Sequence, residues 1–516
     1  MSFYEHLLDE LQAMVMELGT DGGLISPSVY DTAQVLRLCP PEDGVEAALT
    51  WLVEQQRPDG GWGNPAAPLS RDVPTLAALL TLNQRYKSNN GCLPQSFAAV
   101  IEAGLCFLEQ QAPQWLPPLS ENLPVAVEMI LPHLLEEAAA VGLHLDQKPY
   151  TAIKELGQNR RQLIAKLSLQ AGTPPIHSWE AWGKIPAPDL VDGSGSVGHS
   201  PAATAAWLHQ VNLSTNGNGR PPQAQQARRY LHEAAQATQI NLPGVVPTVW
   251  PITRFEQSFV LHTLLLTDLL HHPQLQNVVM LQARNMAGHL KPKGLGMSDF
   301  FLPDGDDTAA ALAILQAVGL NPDLGTLSHF KNGDHFYAYQ GELQPSLSLT
   351  ARALHTLTLF DKWDTASSTF ILERRMPDGR WVGDKWHSSW LYTTYLAVLA
   401  LTAAGEAANV SQTIRAVVAN QLADGGWGET GRATAVETAL GVLILVHMSD
   451  QNMLSAADQA TLKRGAHWLY DHYTAPSNGS QPPRWLGKAL YTPYRIDRTI
   501  ELSALLLVLQ GEILHV

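Results

Sequence analysis

Residues Gln55-Gln56-Arg57-Pro58-Asp59-Gly60-Gly61-Trp62-Gly63 return as Asn420-Gln421-Leu422-Ala423-Asp424-Gly425-Gly426-Trp427-Gly428. Each copy follows a helical pattern, and each leads into another, at Pro74-Thr75-Leu76 and at Ala433-Thr434-Ala435. The paired glycines allow a tight reversal, while the Gln side chain and the Trp ring can staple neighbouring helices. Such a turn holds helices together and does no chemistry. Two copies about 365 residues apart predict two related helical domains rather than a short-period solenoid.

The surrounding sequence is helix after helix. Apolar residues recur at three-to-four spacing near 44–56, 73–84, 95–111, 122–142, 148–169, 201–211 and 222–238. The same spacing marks 256–271, 307–319, 347–360, 391–404, 410–421, 434–447, 455–470 and 497–510. Strand-like alternation is nearly absent, and Asn216-Gly217-Asn218-Gly219-Arg220-Pro221-Pro222 reads as an exposed loop. At 516 residues the chain accommodates two or three domains, and its 45% hydrophobic and 16% charged residues are those of a soluble globular protein. A net charge of −15 argues against nucleic acid or an anionic membrane as the main partner. Cys39, Cys92 and Cys106 form no CxxC pair, which predicts a reducing cytoplasm and no disulfide framework. The start carries no signal-peptide core, and no apolar run is long enough to span a membrane.

The chemistry is concentrated in Asp304-Gly305-Asp306-Asp307-Thr308-Ala309, between the apolar Phe300-Phe301-Leu302-Pro303 and a helical run from Ala310. Three carboxylates so close, in poorly solvated surroundings, force at least one pKa upward. A carboxylic acid kept neutral in this way can protonate a very weak base such as an alkene. The alternative is a turn with a helix N-cap, or a weak calcium loop. The helix N-terminus favours the charged form, against the acid role.

Taken with the stapling turns, this motif resembles the class II terpene cyclases, and among them the diterpene cyclases that fold a C20 prenyl diphosphate. Ser28-Val29-Tyr30-Asp31-Thr32-Ala33, Leu123-Pro124 through Glu128 to Pro132, and Ile176-His177-Ser178-Trp179-Glu180 each resemble family segments. So do Asp192-Gly193-Ser194, Ser200-Pro201-Ala202-Ala203-Thr204-Ala205, Asp384-Lys385-Trp386-His387, Gly431-Arg432-Ala433-Thr434 and Gly487-Lys488-Ala489-Leu490-Tyr491. The resemblance runs through nearly the whole chain.

It implies an all-α fold of two α/α-barrels with the active cavity between them. Residues 1–24 plus 251–516 would form the barrel carrying the acid motif, and 25–250 the inserted one. By resemblance Asp306 is the general acid, and Asp304 and Asp307 orient it. The substrate would be geranylgeranyl diphosphate, closed to a bicyclic product that keeps its diphosphate, since no DDxxD element exists for ionisation. A carbocation calls for aromatic faces and exclusion of water, with Trp250, Phe255, Phe301, Tyr337, Trp386 and Tyr491 as candidates. Lys166, Lys385, Arg432 and Lys488 are candidates for the diphosphate, with Mg²⁺, and Glu128 and Glu180 as metal neighbours or structural acids.

Plant copalyl-type members deprotonate the cation through water held by a His and an Asn. His177 fits the first, but Pro247-Thr248-Val249-Trp250-Pro251 puts Thr248 at the second, and a hydroxyl lacks the amide's donor and acceptor pair. That points to a rearranged halimadienyl or kolavenyl skeleton. A class I terpene synthase is the expected partner downstream. The alternatives are a squalene–hopene-type triterpene cyclase, with more stapling turns and no need of phosphate-binding cations, and a farnesyl diphosphate (drimenyl-type) cyclase. A prenyltransferase β-subunit needs a Cys-containing zinc site that the cysteine positions do not suit. For a helical-toroid binding protein, Asp306 would be dispensable.

Overall fold

The computed structural model describes residues 2–88, 95–215, 221–342, 344–474 and 482–514. Cys92 and positions 216–220 of the expected loop lie outside the described residues. Six helices, Thr253–Leu266, Gly305–Ala317, Leu347–Leu359, Trp390–Ala403, Ala435–Asp450 and Tyr494–Gln510, pack each against the next, and the last packs on the first. This closes a ring. Phe3–Glu17, Gln276–His289, Thr365–Glu373, Ala407–Ala419 and Ala456–Asp471 surround it as an outer layer.

A second ring runs through Val29–Leu38, Asp72–Ser88, Val127–Ala140, the 3₁₀ segment Pro174–Ala181 and Pro201–Thr215, then back to Val29–Leu38. Val45–Glu54, Gln95–Gln111, Thr151–Ile164 and Pro222–Ala237 lie outside it. Sequence composition sorts the two layers. Ala435–Asp450 is buried without a break from Val436 to Val446. The outer Thr151–Ile164 buries only Ile153, Gly157 and Ile164, the single stripe of a surface helix.

The stapling turns do what their residues suggest. Gln56 Nε2 donates to Gly60 O and Val100 O at 2.8 and 2.9 Å, and Trp62 Nε1 donates to Leu52 O at 2.7 Å. Gln421 and Trp427 repeat these bonds on Gly425, Thr461 and Val417. The expectation of two copies undercounts the device. At Met376-Pro377-Asp378-Gly379-Arg380-Trp381, Trp381 Nε1 donates to Ile371 O at 2.7 Å. A simpler signature is wider still: a turn N–H bonds a threonine Oγ1 on the next inner helix. Trp62 uses Thr75, Val197 Thr204, Leu295 Thr308, Phe336 Thr350, Trp381 Thr394 and Trp427 Thr438.

Some helix boundaries differ from the periodicity. The pattern over 122–142 becomes a helix only from Val127, because Pro124 precedes it and Ala126 sits at φ 57°. That over 148–169 stops at Ile164, and that over 256–271 breaks at Asp268, φ 57°. Val29–Leu38, Gln276–His289 and Thr365–Glu373 are helices that the periodicity did not single out. Two two-residue strand pairs, Lys331–Asn332 with His335–Phe336 and Trp485–Leu486 with Leu490–Tyr491, flank the site described below. Ion pairs tie the first helix to the last: Arg498 to Glu10 at 2.6 Å, and Arg495 to Glu17 at 3.2 Å. Among the described residues no helix is long and apolar enough to cross a membrane.

Candidate active site

The acidic motif starts the inner helix Gly305–Ala317. Asp304 is its N-cap, accepting from Asp307 N–H at 2.8 Å, and Asp304 N–H donates to Leu295 O at 2.9 Å. The local sequence fixes the remaining geometry. Gly305 N–H donates to Ala338 O, and a Cβ at position 305 would stand 2.6 Å from Tyr337 O, so only glycine admits this approach. Ser258 Oγ donates to Asp307 Oδ1 at 2.6 Å.

The three carboxyls differ. Burial, then the neighbouring Asp307 charge, pushes Asp304 well above the carboxylate range. Burial raises Asp307 to about 6, opposed first by the Ser258 hydroxyl. Asp306 is raised to about 7, by burial first, with Arg352 pulling it down and Asp384 and Asp307 pushing it up. Desolvation thus outweighs the helix N-terminus at this turn. Asp306 alone keeps an appreciable opening: its side chain is 14% exposed, whereas Asp304 and Asp307 are buried.

Sequence reasoning missed what surrounds Asp306. Arg352 Nε lies 3.4 Å from Asp306 Oδ1; its Nη1 donates to His262 Nδ1 and its Nη2 to Tyr392 OH, both at 2.8 Å. Its guanidinium sits 4.2 Å over the Phe259 ring. Phe259 continues into a shell of rings: Phe255 at 4.4 Å, Trp485 at 5.6 Å, then Tyr392 and His387 within 5.2 Å of Trp485. The pattern gave little signal, because Arg352 shares the helix Leu347–Leu359 with Ser348, Thr350, His355, Thr356 and Thr358 as well as with apolar residues.

Next to this turn lies a cavity of about 880 Å³ bounded by both rings. Phe301, Tyr337, Trp386 and Tyr491 line it, as do His177, Thr248, Glu128 and Lys385. The aspartates themselves do not line it. Tyr339 and Tyr491 do, and the Asp304, Asp306 and Asp307 charges add to burial in raising Tyr339, those of Asp307 and Asp306 in raising Tyr491. Trp250 and Phe255 are not in the lining: Trp250 donates to Gly23 O and packs on Tyr230, and Phe255 backs the aromatic shell.

The cations expected at the diphosphate sort likewise. Lys166 and Arg432 are exposed and do not line the cavity; around Lys166 the neighbours Leu163, Ile164, Leu167, Ser168 and Leu169 take that place. Lys488 is fully buried, paired with Glu180 at 2.9 Å and Asp31 at 3.4 Å, and bonded to Ser200 and His177 O. Its charge is thereby committed to protein carboxylates. Lys385 reaches the lining but pairs with Glu342 at 2.6 Å. Arg160 and Lys293, not foreseen, line the same cavity, Arg160 3.8 Å from Glu128.

Known proteins resemble this chain over its full length. Residues 337–480 match the family model of the squalene-hopene cyclase C-terminal domain. The chain is 44% identical to a (+)-kolavenyl diphosphate synthase of Herpetosiphon aurantiacus, covering 98% of both chains. It is 30% identical to an ent-copalyl diphosphate synthase of Streptomyces sp. (strain KO-3988), over 94% of this chain and 92% of that one. This chain belongs to the class II diterpene cyclases. The solved ent-copalyl diphosphate synthase of Streptomyces platensis superposes with a TM-score of 0.80 at 28% identity, over 97% and 99% of the two chains.

In this diterpene cyclase the two residues named for deprotonation, His177 and Thr248, both line the cavity. His177 Nδ1–H donates to Gly198 O at 2.8 Å, and burial, then Lys488, lowers its pKa to about 3. It is therefore neutral, with the Nε2 lone pair free. The buried Thr248 hydroxyl lies near enough to Asp31 to lower that acid, yet makes no well-formed hydrogen bond. A protein-held magnesium does not fit the residues expected for it. Glu180 is bound by Tyr30 OH and Lys488, Glu128 faces Arg160, and among the described residues no three His, Cys, Asp or Glu side chains group as a metal site.

Proposed function

We propose that the protein protonates the terminal double bond of geranylgeranyl diphosphate and releases a bicyclic diterpenyl diphosphate. The observation that carries this is Asp306, a carboxyl held near pKa 7 by burial at the partly open end of an otherwise buried acid cluster. The proton passes from Asp306 to the terminal alkene carbon; the π electrons form the new C–H bond, the tertiary cation closes two rings, and the ring cation that remains loses a proton, with neutral His177 as the proposed base. Phe301, Tyr337, Trp386, Tyr339 and Tyr491 offer ring faces to that cation. A volume of about 880 Å³ lies within the range of ligand cavities, about 300–1,000 Å³.

Arg160, Lys293 and Lys385 are the cations proposed for the diphosphate, which stays attached. Magnesium enters this reading only as a counter-ion brought by the diphosphate itself. The product proposed is rearranged and of kolavenyl type, supported by Thr248 in place of an amide and by the name of the 44% identical relative. Residues 1–24 with 251–516, and 25–250, are the proposed domains. A retained diphosphate leaves the ionisation to a second enzyme, proposed as a class I terpene synthase.

The test is incubation with geranylgeranyl diphosphate, phosphatase treatment and mass spectrometry, beside Asp306→Ala. A bicyclic C20 alcohol is expected from the wild type only after dephosphorylation, with a loss of about 10³-fold or more in the variant. Conversion of squalene instead, or equal conversion by Asp306→Ala, would sink the reading.

A further inference from the structure

The residue expected to face an acid of this kind is neutral or absent, because a permanent cation ionises a carboxyl. Here an arginine is built in, and the structure holds it with unusual completeness. Arg352 is fully buried and has four separate contacts: Asp306 at Nε, His262 Nδ1 at Nη1, Tyr392 OH at Nη2, and the Phe259 face. Arginine cannot accept a hydrogen bond, so His262 Nδ1 must be the acceptor. That fixes His262 as the neutral tautomer with its proton on Nε2, and Nε2 is buried without a partner. Burial, then Arg352, keeps His262 well below its ordinary pKa, so it does not charge.

We infer that Arg352, clamped by His262 and Tyr392, is the positioning residue that makes Asp306 a stronger acid by pairing with its carboxylate once the proton has left. This rests on the reading of Asp306 as proton donor. Before transfer the site is a neutral carboxyl beside a guanidinium. As the O–H bond breaks and the C–H bond forms, negative charge grows on Asp306 where the guanidinium already lies, without reorganisation of solvent. Other charges near Asp306 act the opposite way: Asp307 on its own helix, and Asp384 from the loop after Trp381, which accepts from Leu347 and Ser348 N–H, while Asp304 keeps its own proton. Tyr392, Tyr339 and Tyr491 stay protonated, and His355, beyond His262, is neutral. Arg352 is thus the cation on which the balance turns: burial and the Asp384 and Asp307 charges keep the proton on, and the arginine makes it leave.

The test is the pH dependence of kcat with geranylgeranyl diphosphate for wild type, Arg352→Gln and Arg352→Lys, with melting curves for each. Wild-type kcat is expected to be level in acid and to fall through about pH 7. In Arg352→Gln the plateau should drop about 10–100-fold, while the falling limb moves about 1–2 units toward alkali. Arg352→Lys should keep the limb near its wild-type place. A lower plateau with an unmoved limb would mean a structural role only and overturn the inference, as would an unchanged plateau. If Arg352→Gln does not fold, the decision passes to His262. His262→Leu should lower kcat and shift the limb in the same direction, with recovery in His262→Gln, whose carbonyl can still accept from Arg352; no change in His262→Leu overturns the inference. Failure of the wild type to consume the substrate would count against the proposed reaction instead, which separates the two.

Discussion

Gly305 shows how much rests on one missing methyl group. Its place at the first turn of a helix would ordinarily favour alanine, but the carbonyl of Tyr337 occupies the space a Cβ needs. Gly305→Ala is therefore expected to displace the turn that carries Asp306, lowering kcat about 10²-fold with KM little changed; steady-state kinetics would check this. If kcat is retained, the approach of residues 337–338 is not what positions the acid. The acid motif itself was legible in sequence because three carboxylates beside apolar residues are unusual. Its partner was not, since an arginine in a helix is more often a solvated surface charge, and nothing in the pattern around Arg352 says which way it points. The cationic candidates failed for a related reason. Lys488 stands in a family-like segment, but only folding reveals Glu180 and Asp31 against it.

At the scale of elements, the turns decide the architecture. Trp62 and Trp427 were readable because Gln, Asp-Gly-Gly and Trp all recur. Trp381 was not, with Arg375 for the Gln and Arg380 for the second Gly, and at Leu295 and Phe336 even the Trp is gone. What persists is a backbone donor on a threonine hydroxyl, which leaves almost no trace in sequence. Trp381 is completely buried and bonded at both nitrogens, so Trp381→Ala should cost about 3–5 kcal/mol in urea unfolding. A loss under about 1 kcal/mol would show the turn to be incidental. Helix positions followed the periodicity well and helix ends less so, because Pro124, Ala126 and Asp268 act through backbone angles that a hydrophobic pattern does not register.

Across the whole molecule, several buried carboxyls titrate far above their free values: Asp306, Asp72 and Asp497 each at about 7, all chiefly through burial. The unfolded chain releases those protons near pH 4, whereas the native state keeps them to about 7. Their stabilising contribution is complete below pH 4 and disappears as pH rises through 7. Calorimetry should therefore find a higher Tm at pH 5.5 than at pH 8; a Tm that rises over this interval would show these groups ionised in the fold. The helix that carries Arg495 and Arg498 has a different implication. Of the six inner helices of the ring that carries Asp306, Tyr494–Gln510 is synthesised after the other five, so that ring cannot close until it has been made. The other barrel, complete from residue 29 to 237, has no such wait. Synthesis therefore delivers every helix of the other ring before the ring that carries the acid can close.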